Sequence, residues 1–288
     1  MKKKSQHPAE RPRKAAVRER AEPRREPLRA KREVSGSSAG APKREGIIFG
    51  VLPVLEALRS NPQRIDKVLI ADTAKEHRLA EITQLARQHS VVFNRLDRDK
   101  FSRVAPIDAN TQGVIAFAAP VAYTDADQLI SFANDDSLFL ILDGIEDPRN
   151  LGAVIRSAEC AGVSGIFIPE RRAVGLTDTV AKSSAGAIEY AKVAKVANIT
   201  KLIQRLKQQN VWVIGASSDS ITSYSDWDWR RPSAIVLGSE GSGLHRLVAE
   251  NCDMLVNIPM YGKIDSLNVS VAAGVILFEA RRQRKSGG

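Results

Sequence analysis

Apolar positions along the chain follow two rhythms. From Gly46 the apolar run Ile47-Ile48-Phe49 leads into Val51, Val54, Leu55 and Leu58, spaced i, i+3, i+4, i+7. That spacing predicts a helix, which Asn61-Pro62 ends. Lys67-Val68-Leu69-Ile70-Ala71 predicts a strand. Leu79, Ile82, Leu85 and Ala86 form a helical stripe through residues 75–89. Val91-Val92-Phe93 and Gly113-Val114-Ile115-Ala116-Phe117 predict two more strands. Residues 46–120 therefore form a small alternating α/β unit. The stretch 121–136, with Thr and a cluster of Asp, is expected to be a linker.

A second unit spans 137–288. It opens with Leu138-Phe139-Leu140-Ile141-Leu142, a continuous apolar run of the kind found where helices cover both faces of a strand. Similar runs recur at residues 165–168, 211–214 and 234–237, with a shorter one at 255–258. Helical stripes intervene: Leu151, Val154, Ile155, Ala158, then Ile199, Leu202, Ile203, Leu206. A final helix is expected over 268–284. The alternation predicts a mostly parallel sheet, whose ligands bind beyond the carboxyl ends of the strands. Attention falls on the loops after Leu142, Ile168, Gly215, Leu237 and Ile258.

Charge changes the picture at one end only. Residues 1–45 hold 15 Lys/Arg and 6 Glu, while the rest of the chain holds 28 basic and 27 acidic residues. The first 45 residues also lack aromatics, so they are expected to be a disordered basic tail, suited to a polyanion such as RNA. No apolar core follows the opening lysines, which argues against a secretory signal. The apolar runs are about half of what a membrane-spanning helix needs. With only Cys160 and Cys252, a disulfide framework and a Cys-rich zinc site are excluded, and a reducing, cytoplasmic location is expected. The four histidines show no metal-ligand spacing, and no metal is expected.

Three loops of the second unit carry candidate chemistry. The first reads Asp143-Gly144-Ile145-Glu146-Asp147-Pro148-Arg149-Asn150 and leads to Arg156. Its bland reading makes Asn150 a helix N-cap and Arg156 a surface partner of Glu159. The second, Gly238-Ser239-Glu240-Gly241-Ser242-Gly243, has three glycines in six residues. It is neither a Walker A loop nor a dinucleotide fingerprint, and Glu240 would repel phosphates. The third runs from Ile258-Pro259-Met260 to Ser266-Leu267-Asn268-Val269-Ser270 and enters a helix of small residues, with Ser266 or Asn268 as its cap.

Together, in this order and spacing, the three segments closely resemble the motifs of the SpoU (TrmH-like) RNA ribose 2′-O-methyltransferases, over about residues 137–284. Residues 46–120 are similar to that family's RNA-binding domain, itself like kink-turn-binding ribosomal proteins. The marks are Gly50-x-x-Pro53-Val54 and Gln112-Gly113-Val114. The pairing most resembles the branch that methylates a guanosine of large-subunit (23S) ribosomal RNA. Thr111 stands where that branch often has His, and the basic tail lies outside the usual pattern.

The resemblance implies an α/β fold with a deep carboxy-terminal trefoil knot and a homodimer. It implies S-adenosylmethionine as methyl donor, held near Gly238, Ile258 and Leu267, and ribosomal RNA as partner. Arg156 takes the family's position for activating the ribose hydroxyl. A guanidinium stays protonated, so clamping a phosphate or steadying an alkoxide suits it better than proton abstraction. Asn150 is expected to orient Arg156 or bind RNA, and Glu240 to pair with a catalytic arginine of the same subunit or across the dimer. Ser266 and Asn268 are expected to shape the cofactor loop and to contact the target nucleotide. His245 is a competing base. The alternatives are transfer RNA, a ribosomal RNA adenosine, or RNA binding without catalysis in ribosome assembly.

Overall fold

The computed structural model describes residues 46–106 and 109–285, with the backbone alone for 76–78. The basic tail read over 1–45 lies outside the described residues. The chain begins with β1 (Gly46–Phe49), α1 (Val51–Ser60), β2 (Ile65–Ala71), α2 (Glu76–Gln88), β3 (Val92–Leu96), α3 (Arg98–Val104) and β4 (Val114–Ala118). These strands form one sheet in the order β1-β4-β2-β3, with β4 antiparallel to both neighbours and β2 parallel to β3. The helical stripes bury Val54, Leu58, Leu79 and Ile82 against Val68, Ile70, Val114 and Ala116.

Two sequence marks of this unit meet in space. The side-chain Oε1 of Gln112 accepts the backbone N–H of Val51 at 2.9 Å, capping the first turn of α1. Gly113 follows at φ +83°, where a Cβ would stand 2.6 Å from that of Ala74. No side chain fits that position.

The second sheet is preceded by α4 (Ala126–Ser131). It is built from β5 (Leu138–Asp143), α5 (Pro148–Cys160), β6 (Gly165–Pro169), α6 (Asp178–Ser183), β7 (Val193–Val196), α7 (Ile199–Gln208), β8 (Trp212–Ala216), β9 (Ser233–Gly238), α8 (Arg246–Asn251), β10 (Met254–Val256) and α9 (Val269–Lys285). The order is β10-β8-β9-β5-β6-β7, parallel throughout. Alternate residues of β5 serve opposite faces. Leu138, Leu140 and Leu142 pack on α5 and α9, while Phe139 and Ile141 pack on α4 and α7. That is why the run reads as continuously apolar. The chain winds outward from β5 to β7 and then resumes on the other side, so the crevice of this sheet lies beyond β5 and β9.

Two expectations are corrected. The stretch 121–136 is not a free linker: Val121 and Tyr123 pack on the second core, and Leu129 and Ile130 of α4 are buried in it. Its Asp-rich composition hid a single buried apolar pair. The short elements α3, α6, β7 and α8 were also not anticipated, because four to seven residues are too few for a period to emerge.

The two sheets are joined through α6 and the turn after it. Arg64 meets Glu189 at 2.7 Å, with only 10% and 3% of the side chains exposed. Lys182 donates to the carbonyls of Asn110 at 3.0 Å and Phe49 at 3.4 Å, and burial pushes its ammonium below the usual lysine range. The Tyr190 hydroxyl donates to Glu56 at 2.6 Å; burial first, then that carboxylate, pushes it up to about 12. Breaking a buried ion pair strands a charge, at a cost of about 3–5 kcal/mol. Arg64→Ala is therefore expected to lower the unfolding free energy by about that amount in urea titrations, and adding Glu189→Gln to recover part of it.

Candidate active site

The site is built on the carboxyl ends of β5 and β9, which pair through Asp143 and Gly238. A Cβ on Gly238 would stand 2.1 Å from the backbone of Gly243 and 2.4 Å from the amide nitrogen of Leu244. The loop after β9 therefore folds directly back over the strand end. It is closed by two backbone hydrogen bonds, Ser239 N–H to Gly243 O at 3.1 Å and Gly243 N–H to Ser239 O at 2.9 Å. The side of Gly238 where a side chain would stand is thus filled by the chain's own backbone. Open space instead surrounds Gly241, Gly243 and Gly262.

The tight return aims two side chains. Glu240 reaches α5, where its Oε1 accepts the amide of Asn150 at 2.8 Å and also the amide of Asn268. Asn268 closes the triangle by donating to Asn150 Oδ1 at 3.1 Å. Residues 150, 240 and 268, far apart in sequence, thus share one cluster. His245 follows the loop, and its backbone N–H and ring Nδ1 meet the two carboxylate oxygens of Asp143 at 2.8 and 2.9 Å. Asp143 is 4% exposed, while the imidazole is half-exposed.

The remaining expected residues stand as follows. Asn150 is not the N-cap of α5: Asp147 takes that role, accepting from Arg149 N–H at 2.8 Å, which leaves the Asn150 amide free for Glu240. Asn150 bonds Glu240 and Asn268 rather than orienting Arg156. Arg156 lies on the exposed face of α5, about 9 Å further along the axis, and makes no hydrogen bond or ion pair among the described residues, so the pairing with Glu159 is not made. Glu240 meets two amides and, among the described residues, no arginine. Asn268 caps α9, accepting Ser270 N–H at 2.9 Å. Ser266 stays outside the cluster and bonds Asp265 at 3.2 Å. Ile258 packs half-buried on the second core, and Leu267 is exposed next to Asn268. In the loop between them Tyr261 stands almost fully exposed and Ile264 is largely exposed. Among the described residues no cluster of three or more His, Cys, Asp or Glu could hold a metal ion.

Residues 137–278 match the SpoU rRNA methylase family, and residues 47–124 match the domain described as RNA 2′-O ribose methyltransferase substrate binding. A TrmH family tRNA/rRNA methyltransferase by name, from Staphylococcus saprophyticus, is 42% identical over 83% of this chain and 96% of its own length.

The chain belongs to the SpoU rRNA methylase family.

Its Bacillus subtilis relative YacO, also named for the TrmH family, is 39% identical over 84% of the chain and 97% of its own. The crystal structure of the SpoU methyltransferase AviRb from Streptomyces viridochromogenes superposes with a TM-score of 0.70 at 25% identity, covering 84% of this chain and 91% of that one. A crystal structure described as an RNA 2′-O ribose methyltransferase gives 0.69 at 27% identity, covering 84% and 90%.

In this SpoU chain the residue pair that the motif reading left without a partner is Asp143–His245. Asp143 looked like the polar end of an apolar strand, and 102 residues separate it from His245. The cluster's own contribution to the fold is testable. Asn268→Ala removes the α9 cap and two sides of the triangle. Losing such a cap costs about 1 kcal/mol. Calorimetry should show a fall in Tm of about 2–4 °C.

Proposed function

We propose that this protein transfers a methyl group from S-adenosylmethionine to the ribose 2′-hydroxyl of a guanosine in large-subunit (23S) ribosomal RNA. The observation that carries this reading is the Asn150–Glu240–Asn268 triangle at the start of the helix whose exposed face carries Arg156, without a partner among the described residues. The substrate-binding domain over residues 47–124 supports an RNA partner. The relatives are named for both tRNA and rRNA, which keeps transfer RNA as the second reading.

The residues present suit the methyl donor. Gly241, Gly243 and Gly262 leave room for close approach, Ile258 and Leu267 offer apolar surface, and the Glu240 carboxylate favours a cation. Crystal structures with AdoMet bound exist for AviRb and for an rRNA methyltransferase from Sinorhizobium meliloti, both of this fold. When bound, S-adenosylmethionine supplies an electrophilic methyl on a positively charged sulfur. The protein's part is to hold the hydroxyl oxygen in line and exclude wrong geometries. Arg156, permanently charged, is placed to clamp a phosphate of the target strand or steady charge developing on the ribose oxygen. The Glu240 triangle keeps the loops after β5, β9 and β10 in register around that point. Ser266 contacts the target nucleotide once RNA is present. The trefoil knot belongs to the same reading.

A homodimer and a cytoplasmic location complete the proposal. Val271 and Phe278 lie seven residues apart on α9, and both are half-exposed. Such an apolar stripe suits a second copy. Both cysteines are free, and no described helix is long and apolar enough to cross a membrane.

Tritium transfer from labelled S-adenosylmethionine tests the reaction. Unmodified large-subunit ribosomal RNA should take label and bulk transfer RNA should not, and Arg156→Ala should lower the rate by about 100-fold or more. Label in transfer RNA alone would replace the substrate, and RNA binding without label in any RNA would favour a non-catalytic assembly factor. Sedimentation should give a dimer, and Phe278→Asp a monomer.

A further inference from the structure

The buried carboxylate of Asp143 has one use in the structure. Both its oxygens are taken by His245, Oδ2 by the backbone N–H and Oδ1 by ring Nδ1. An ionised carboxylate can only accept, so the ring must carry its proton on Nδ1. A neutral imidazole held this way presents a bare Nε2 lone pair. The ring stands in the crevice between the loops after β5 and β9. Its Cε1 lies 3.5 Å from where a Gly144 Cβ would be, and the Ser239 Cβ lies 4.0 Å from the same point. Glu240, the next residue, opens the triangle with Asn150 and Asn268.

We propose that Nε2 of His245 accepts the proton of the ribose 2′-hydroxyl, with Asp143 as its positioning residue. The inference rests on the methyl-transfer reading above and deepens it. Arg156 cannot take a proton, since its guanidinium stays charged, and the reaction must shed one. The 2′-oxygen bonds the methyl carbon while the carbon–sulfur bond breaks, and sulfur keeps that electron pair. The hydroxyl proton passes to Nε2. Positive charge therefore moves from the sulfonium to an imidazolium, which the buried Asp143 carboxylate stabilises.

The titratable groups next to His245 in the chain or coupled to Asp143, with their own neighbours, do not compete for this role. Burial pushes the Cys252 thiol up to about 12, so it stays protonated. Asp253 is paired with Lys207 at 2.9 Å, and Arg246 with Glu250 at 2.8 Å. Glu240 is engaged by two amides.

His245→Asn keeps an amide N–H where Nδ1 stood and offers nothing at Nε2. Turnover on the RNA that the wild type methylates is expected to fall about 100-fold or more. The KM for RNA, the calorimetric affinity for S-adenosylmethionine and the Tm should hold at wild-type values. The pH dependence of turnover should differ between the wild type and the variant. Nitrogen-15 spectra of the ligand-free protein should show Nδ1 protonated and Nε2 bare, and Asp143→Asn should disturb that tautomer. Wild-type turnover with an unchanged pH profile in His245→Asn overturns the proposal. So does a bare Nδ1, or a loss of rate that tracks lost cofactor affinity or Tm, which marks a purely structural anchor. A wild-type protein that methylates no RNA overturns this proposal and the methyl-transfer reading together, whereas methyl transfer that is indifferent to His245 overturns this one alone.

Discussion

The absence of a side chain at Gly238 is the constraint on which the site depends. Carbonyl and amide atoms of residues 243 and 244 occupy the volume a Cβ would need. Only because that volume is free can the loop double back over the end of β9. The fold-back is what turns Glu240 toward α5 and delivers His245 to Asp143. A looser return would separate these groups, and no local interaction in any one of the three loops would bring them together again.

The polar groups of the site divide into satisfied and unsatisfied. Glu240 is held by two neutral amides, so its charge is positioned without being cancelled. Asp143 is held by two N–H donors from a single residue. Arg156 has no partner among the described residues. In the proposed methyl-transfer reading, the fixed carboxylates serve a cationic cosubstrate and the guanidinium an anionic polymer. The paired groups cost little to keep in place when a ligand arrives, and the unpaired one remains available to it.

The binding domain is coupled to this site by consecutive residues. Lys182 bonds backbone carbonyls at Phe49 and Asn110 in the first unit. Ser183, its neighbour, donates to the carbonyl of Pro148 at 3.2 Å, at the start of the helix that carries Asn150 and Arg156. Gly152 permits that contact, since a Cβ there would stand 1.9 Å from the Ser183 hydroxyl oxygen. The buried Arg64–Glu189 pair then fixes the same junction from the other side. The first unit is thereby joined to the second by packed side chains rather than by the connecting chain alone.

What the sequence determined by itself were the elements long enough to show a period and the residue types the chemistry needs. The runs at β5, β6, β8 and β9 announced a sheet covered on both faces, and the stripes of α1, α2, α5 and α7 emerged because each buries one side. Asn150, Glu240 and Asn268, which the fold brings together, were singled out beforehand by the order and spacing of three motifs. Tertiary structure decided the rest. Elements as short as β7 carry too few residues for periodicity, and α4 was masked by the acidic residues around Leu129 and Ile130. It was the fold that gave the cap of α5 to Asp147 and freed Asn150, and that assigned Gly238 to the chain's own backbone. It also brought Asp143 to His245, because a contact made across the ends of two parallel strands leaves no trace in the spacing of either one.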